Sequence, residues 1–102
     1  MIEKKLYVLY KSESKAKKYD VYIKNKTGRI KKISFGAKGY SDYTIHKDKE
    51  RRERYRARHI NDKLDDPNSS GFWSWYTLWG ASSNLSKAFK NTVGRAKILL
   101  AT

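Results

Sequence analysis

His46 and His59 are the side chains of this 102-residue chain that could act as a general base or bind a metal near neutral pH. They lie thirteen residues apart and no third ligand stands at a metal-site spacing, so the sequence predicts no metal site. Ser34, Ser41 and Asp42 precede His46, but no nucleophile elbow or oxyanion loop accompanies them. Cysteine is absent, which excludes thiolate chemistry and disulfides. We therefore predict a protein that is not an enzyme, with no catalytic residues, cofactor or small-molecule substrate.

The strongest signal in the sequence is its positive charge. The chain has 24 Lys and Arg against 10 Asp and Glu, a net charge of +14. Most of the excess lies in residues 1–46, with twelve basic and four acidic side chains, and in residues 47–63, with eight and four. Repulsion among these charges opposes compaction, and an acidic protein surface or a nucleic acid would relieve it. The alternative interpretation is a solvated surface that only keeps the protein soluble.

The stretch FGAKGYSDYTIHKDKERRERYRARH, residues 35–59, places a glycine-containing loop before an arginine-rich helix. On that helix one face carries Arg51, Tyr55, Arg58 and Asp62, while Arg52, Arg56 and His59 project from another. We predict one contiguous surface that binds anions or a partner, formed by Lys38, Tyr40, Arg51, Arg52 and Arg56. The alternatives are that the loop is a sharp corner whose tyrosines pack on the sheet, and that the helix only faces solvent.

The aromatic run GFWSWYTLWG, residues 71–80, predicts a second short helix. One helical face carries Phe72, Trp75, Tyr76 and Trp79, and we expect that face to pack on the sheet and supply most of the core. Trp73 lies off this face. We hypothesise that it is an exposed anchor for a partner, since exposed tryptophan is enriched at binding hot spots.

The coarse pattern predicts an α+β fold. Alternating β-branched and aromatic residues indicate three antiparallel strands near 4–11, 19–25 and 29–35, the last two joined as a hairpin whose turn includes Gly28. Acidic residues at its start and basic residues at its end predict a helix over 48–62. The aromatic helix follows, and a C-terminal helix begins near Asn84.

We expect a single domain, residues 1–102. It divides into a basic β part (1–46), the Arg-rich helix (47–63), a linker (64–71), and an aromatic and C-terminal helical part (72–102). No stretch approaches the ~20 consecutive apolar residues of a membrane span, so none is predicted.

The order of FGAKGYSDYT, the arginine helix, GFWSWYTLW and LSKAFKNT resembles a small uncharacterised family of basic proteins encoded by large eukaryotic DNA viruses, including those of algae and amoebae. The resemblance covers roughly Lys31 to Thr92. It implies a virion context, with the host-cell interior as the location during assembly, and it implies no catalytic residues.

Two functions follow as hypotheses. With the resemblance, the sequence favours a virion structural protein, a minor capsid or cement component that docks on larger capsid proteins or other acidic surfaces. Composition alone favours a nonspecific nucleic-acid-binding or genome-packaging protein, bound to viral DNA. In that protein Tyr40, Tyr43 or Trp73 would stack on unpaired bases.

Overall fold

The computed structural model describes residues 4–101 and has the predicted α+β architecture. A three-stranded antiparallel sheet comes first, and the helices follow it. In chain order the elements are β1 (Tyr10–Lys11), β2 (Lys17–Lys24), β3 (Ile30–Ala37), α1 (Tyr43–His46), α2 (Lys49–His59), α3 (Ser70–Trp73), a π-helical segment (Ser74–Leu78) and α4 (Leu85–Ala101).

The β2–β3 hairpin is confirmed close to its predicted position. Its turn is closed by Asn25, whose side-chain Oδ1 accepts hydrogen bonds from the backbone N–H groups of Thr27 and Arg29, both at 3.1 Å. Gly28 has a φ of 85°, a left-handed conformation that glycine adopts at little cost. This turn fixes the register that pairs Tyr19 with Phe35.

The first strand is shorter than the predicted 4–11, because only Tyr10 and Lys11 form a regular ladder with β2. Tyr7 has a φ of 58°, a left-handed conformation that interrupts an extended strand. The chain still runs beside β2, since the Tyr7 N–H donates to the Tyr22 carbonyl at 2.9 Å. The alternating sequence pattern correctly predicted that this segment lies beside β2, but it did not predict the interruption of the strand at Tyr7.

The core lies between one face of the sheet and the later helices. Alternate residues of β2 and β3 point into it, as the period of two requires. The buried hydrophobic cluster consists of Val21, Ile23, Ile33, Phe35, Phe72, Trp73, Leu78, Phe89 and Ala96. On the opposite face Asp20 is also buried, and it accepts a hydrogen bond from the Ser34 hydroxyl at 2.6 Å.

The hypothesis of an exposed Trp73 is wrong. Its side chain is completely buried, with the ring centroid 6.2 Å from that of Phe35 on the sheet and 5.9 Å from that of Phe89 on α4. Its indole N–H donates to the carbonyl of Pro67 at 2.8 Å. The sheet and α4 cover two sides of this short helix, so Trp73 is buried between them. The sequence pattern assumed that only one face of the helix is buried, and it therefore misplaced Trp73.

The aromatic helix also departs from α-helical geometry. The Trp79 N–H donates to the carbonyl of Ser74, five residues earlier, at 3.2 Å. Residues in such a π turn advance less around the axis than in an α-helix, so the α-helical spacing no longer assigns faces. Of the predicted core face, Phe72 and Trp75 are buried, whereas Tyr76 and Trp79 are half-buried.

The other two helices agree with prediction. α2 begins after Asp48, whose carboxylate accepts from the N–H groups of Glu50 and Arg51, and it ends at His59, three residues before the predicted end. α4 follows Asn84 and continues through Gly94 to Ala101. α3 begins at Ser70, inside the predicted linker 64–71. Within residues 4–101 no helix is both long enough and apolar enough to cross a membrane.

Replacing Trp73 by Ala should lower the free energy of unfolding by about 3–5 kcal/mol, because a buried aromatic ring is removed. Replacing it by Phe should cost clearly less, since a ring is retained and the indole hydrogen bond is lost. Urea denaturation followed by circular dichroism measures both. Ile98→Ala, at a side chain that is 69% exposed on α4, is the matched control and should change stability little. Equal stability of the Trp73→Ala variant and the wild type would contradict this packing.

Candidate anion-binding groove

A groove of about 470 Å³ opens between the end of the β2–β3 hairpin, the loop before α1, helix α2 and the start of α3. We call it the basic groove. It is bounded on four sides by different elements, so residues distant in sequence meet there. Its lining is Lys17, Lys18, Gly36, Ala37, Tyr40, Ser41, Asp42, Arg51, Tyr55, Arg58, His59, Asp62, Ser70, Gly71, Ser74, Leu78 and Trp79.

Three cations of the groove are free to bind a ligand. The side chains of Lys17, Arg51 and Arg58 make no salt bridge or hydrogen bond with any residue in the described range 4–101. Lys18 differs, because its Nζ contacts Asp42 Oδ2 at 2.5 Å and its charge is balanced there. The groove also contains a His59–Asp62 pair at 2.8 Å. Positive charge therefore remains in excess along the lining.

The loop wall of the groove is fixed by Asp42, which is 2% exposed. Besides the contact with Lys18, its carboxylate caps α1 by accepting from the N–H of Thr44 at 2.9 Å, and it accepts from the Thr44 hydroxyl. Gly36 makes room nearby, since a Cβ there would lie 2.8 Å from Cδ1 of Leu78. The loop is thus held against the sheet while Tyr40, which follows Gly39, stays 74% exposed.

The helical wall is a stack of rings centred on Tyr55. The Tyr55 centroid lies 4.2 Å from that of His59 and 4.3 Å from that of Trp79, with only 6° between the planes of Tyr55 and Trp79. Burial, with a smaller contribution from the negative charge of Asp62, raises the pKa of Tyr55 to about 12. Its hydroxyl is therefore protonated at neutral pH and provides no phenolate base.

Arg52 and Arg56 point away from the groove and bind the chain itself. The Arg56 guanidinium donates to the Trp79 carbonyl at 2.9 Å and lies 4.2 Å from the centre of the Trp75 ring. The Arg52 guanidinium donates to the Gly80 carbonyl at 3.3 Å and lies 4.9 Å from the centre of the Tyr43 ring. These two arginines hold α2 against the end of the aromatic helix.

The five residues predicted to form one contiguous surface, and the separately predicted anchor Trp73, do not lie together. Tyr40 and Arg51 line the groove, whereas Lys38 is exposed outside its lining. Arg52 and Arg56 are half-buried on another side of α2, and Trp73 is in the core. The helical face predicted to carry Arg51, Tyr55, Arg58 and Asp62 does line the groove in full.

Some groove residues carried a sequence signal and others did not. Arg58 could have been chosen, because it follows Arg51 by seven residues and shares its helical face. His59 was expected on a different face, but the stack on Tyr55 brings it to the groove. Lys17 had no signal, since its place depends on how the sheet end meets α2. Tyr43, a predicted stacking residue, is 5% exposed and therefore unsuited to that role.

Two of the residues considered for catalysis, Ser34 and His46, are engaged in other contacts. The Ser34 hydroxyl donates to Asp20, and Nδ1 of His46 accepts from the backbone N–H of Asp48 at 2.9 Å. The backbone N–H of His46 donates to the Asp42 carbonyl at 3.0 Å, but within residues 4–101 no hydrogen bond joins the His46 ring to the side chain of Ser41 or Asp42. The same part of the chain has no group of three or more His, Asp or Glu side chains arranged to hold a metal.

A family model described as "Family of unknown function (DUF5754)" matches residues 7–59, slightly more than half of the chain. The chain therefore belongs to this family. The matched part contains the sheet, the loop and α2, and with them Lys17, Tyr40, Arg51 and Arg58 of the groove. The helices from Ser70 onward lie beyond it. No curated protein and no solved structure matches the chain.

Replacing Arg56 by Ala should lower the free energy of unfolding by about 1–3 kcal/mol, because a charge-assisted hydrogen bond and a cation–π contact are lost together. Arg54→Ala is the matched control on the same helix, since Arg54 is exposed and its side chain has no salt bridge or hydrogen bond with the residues described. Thermal melting measures both variants. If the two variants melt at the same temperature, Arg56 does not anchor α2.

Stability should fall between pH 7.5 and pH 5 through His46. Burial, and then the nearby positive charge of Arg51, lower the pKa of His46 below 6.5 in the folded state. The unfolded chain therefore takes up this proton first, which favours unfolding as the pH falls below about 6.5. Protonation also removes the Nδ1 acceptor from the Asp48 N–H, at the start of α2.

The variant His46→Asn keeps an acceptor at this position and has no titrating group. Its melting temperature should therefore change less between pH 7.5 and pH 5 than that of the wild type. Acidic groups titrate at lower pH and His59 is common to both proteins, so the difference between the two reports on His46. Identical pH profiles would exclude a contribution from His46.

Proposed function

We propose that this protein is a nonspecific nucleic-acid-binding protein whose basic groove contacts the phosphate backbone. The observation that carries the proposal is the set of three cations, Lys17, Arg51 and Arg58, that line one groove without partners in the described chain. Elsewhere on α2 the arginines Arg52 and Arg56 are used internally. The groove is therefore a concave surface lined by unpaired cations, in a chain whose net charge is +14.

Electrostatics supports a phosphate polymer as the ligand. Each phosphate that a Lys or Arg neutralises releases condensed counterions, so a row of such contacts gives affinity without sequence preference. Arg51 and Arg58 are well suited, because a guanidinium can bind a phosphate with two parallel hydrogen bonds. No base-reading motif is part of the proposal, and the expected binding is independent of sequence.

A second candidate is a virion structural protein that docks on an acidic surface of a larger capsid protein. The mixed lining of the groove favours it, because Tyr55, His59, Trp79, Asp42 and Asp62 occur there beside the cations. Aromatic residues and arginine together are typical of protein interfaces. The resemblance to proteins of large DNA viruses supplies the context for this candidate. Both functions are compatible in a protein that lines the inside of a shell.

The two candidates separate in purified virus particles analysed before and after genome release. Retention of the protein in empty shells supports docking on a capsid protein. Loss of the protein together with the genome supports nucleic-acid binding. Absence of the protein from both preparations would contradict a virion role.

The groove variant Arg51→Gln/Arg58→Gln should bind a 20-nucleotide single strand more weakly than the wild type. The negative slope of log K against log salt concentration should also become shallower by about 1.4, because each phosphate contact on a single strand contributes about 0.7 to its magnitude. Fluorescence anisotropy titrations at NaCl concentrations from about 25 to about 200 mM measure both the affinity and the slope.

Lys87→Gln/Lys90→Gln is the matched control. It removes the same charge from exposed positions on α4, outside the groove, and it should change affinity and slope less. Equal losses in the two double variants would mean that the total charge, and not the groove, determines binding. No binding of the wild type even at the lowest salt would reject the nucleic-acid function.

A further inference from the structure

Tyr40 is the feature of the groove that phosphate binding does not explain. Its side chain is 74% exposed at the groove edge, and its ring makes no aromatic or cation–π contact with any residue in the range 4–101. The loop that carries it is nevertheless well fixed, through Asp42 on one side and the Lys38 N–H bonded to the Ala16 carbonyl at 3.0 Å on the other. A large aromatic ring is thus held in water at a defined position.

A second aromatic surface lies across the groove. The stack of Trp79, Tyr55 and His59 ends at His59, whose side chain is 38% exposed. All three rings of this stack line the groove, and the protein does not enclose all of them. The groove therefore combines two aromatic surfaces with the free cations Lys17, Arg51 and Arg58.

We infer that the basic groove binds unpaired nucleotides, with a base stacked on Tyr40 and the adjoining phosphates held by Lys17, Arg51 and Arg58. The inference rests on the proposed nucleic-acid function and specifies its substrate as single-stranded DNA or RNA. In this arrangement Tyr40 and the end of the ring stack at His59 supply π surfaces, and every base can stack on such a surface whatever its identity.

The shape of the groove favours a single strand over a duplex. Its volume of about 470 Å³ lies in the range of ordinary ligand sites, about 300–1,000 Å³, and suits one or two nucleotide units. In a duplex the faces of the bases are covered by their neighbours, so they cannot reach Tyr40. A duplex can offer this protein only its phosphates, and a single strand offers phosphates and base faces together.

Three ligands of equal length test the inference with the full-length protein: a 20-nucleotide oligothymidine, a 20-base-pair duplex, and an abasic 20-mer of deoxyribose phosphate. At one salt concentration the oligothymidine should bind at least about fivefold more tightly than the abasic strand, which has the same phosphates without bases. It should also bind more tightly than the duplex, although the duplex carries twice as many phosphates. Equal affinity for oligothymidine and the abasic strand would overturn the inference.

Variants at Tyr40 assign the base contact to this residue. Tyr40→Ala should lose at least about fivefold in affinity for oligothymidine and change little for the abasic strand. Tyr40→Phe, which keeps the ring, should retain the preference for bases. Ile98→Ala is the control for loss of an exposed apolar side chain outside the groove. A Tyr40→Ala loss that is equal for both strands, or absent for both, would overturn the proposed stacking.

The outcomes also distinguish a failure of this inference from a failure of the proposed function on which it rests. Salt-dependent binding that is equal for all three ligands retains phosphate binding and rejects the base contact. No binding to any of them rejects both. Polyglutamate that competes as well as oligothymidine would show that the groove prefers an acidic protein chain, and this result too would overturn the inference.

Discussion

The attachment of α2 to the aromatic helix is the interaction on which the groove depends. None of the residues of α2 is buried, so the hydrophobic effect cannot hold it in the usual way. Arg52 and Arg56 instead donate to the carbonyls of Gly80 and Trp79, and the Tyr55 ring stacks on that of Trp79. A charged hydrogen bond contributes about 1.5–3 kcal/mol where water is partly excluded. These contacts orient another face of α2 toward the sheet, and the groove lies between that face and the sheet.

Four of the five arginines of α2 thereby divide into two groups according to helical geometry. Arg52 and Arg56, four residues apart, face the aromatic helix, while Arg51 and Arg58, seven residues apart, face the groove. The π-helical turn contributes to the first group, because it ends beside Gly80, where a Cβ would lie 2.4 Å from the Tyr76 carbonyl oxygen. The Gly80 carbonyl accepts the hydrogen bond from Arg52. Composition counts these four arginines as equal charges, although of the four Arg51 and Arg58 alone have no side-chain partner within residues 4–101.

The parts of the fold that the sequence predicts are those governed by local interactions. Asn25 and Gly28 define the hairpin turn, Asp48 caps α2, and the spacing of Arg51 and Arg58 places them on one face. The parts it misplaced depend on distant contacts. Trp73 is buried because the sheet and α4 cover two sides of one short helix, and Lys17 reaches the groove only through tertiary packing. Periodicity cannot report how many partners a helix has.

Charge connects the stability of this fold to ligand binding. With a net charge of +14, folding brings like charges together, and within the described chain Lys17, Arg51 and Arg58 have no internal partner to offset the repulsion. An anion that binds only the folded groove relieves that repulsion and adds a free energy of RT ln(1 + [L]/Kd) to stability. Because α2 contributes two of these cations and has no buried residue, such a ligand would help to hold it in place. In the function proposed above, the groove cations would cost stability in the free protein and provide affinity in the complex, while the arginines on the other face of α2 hold the groove in shape.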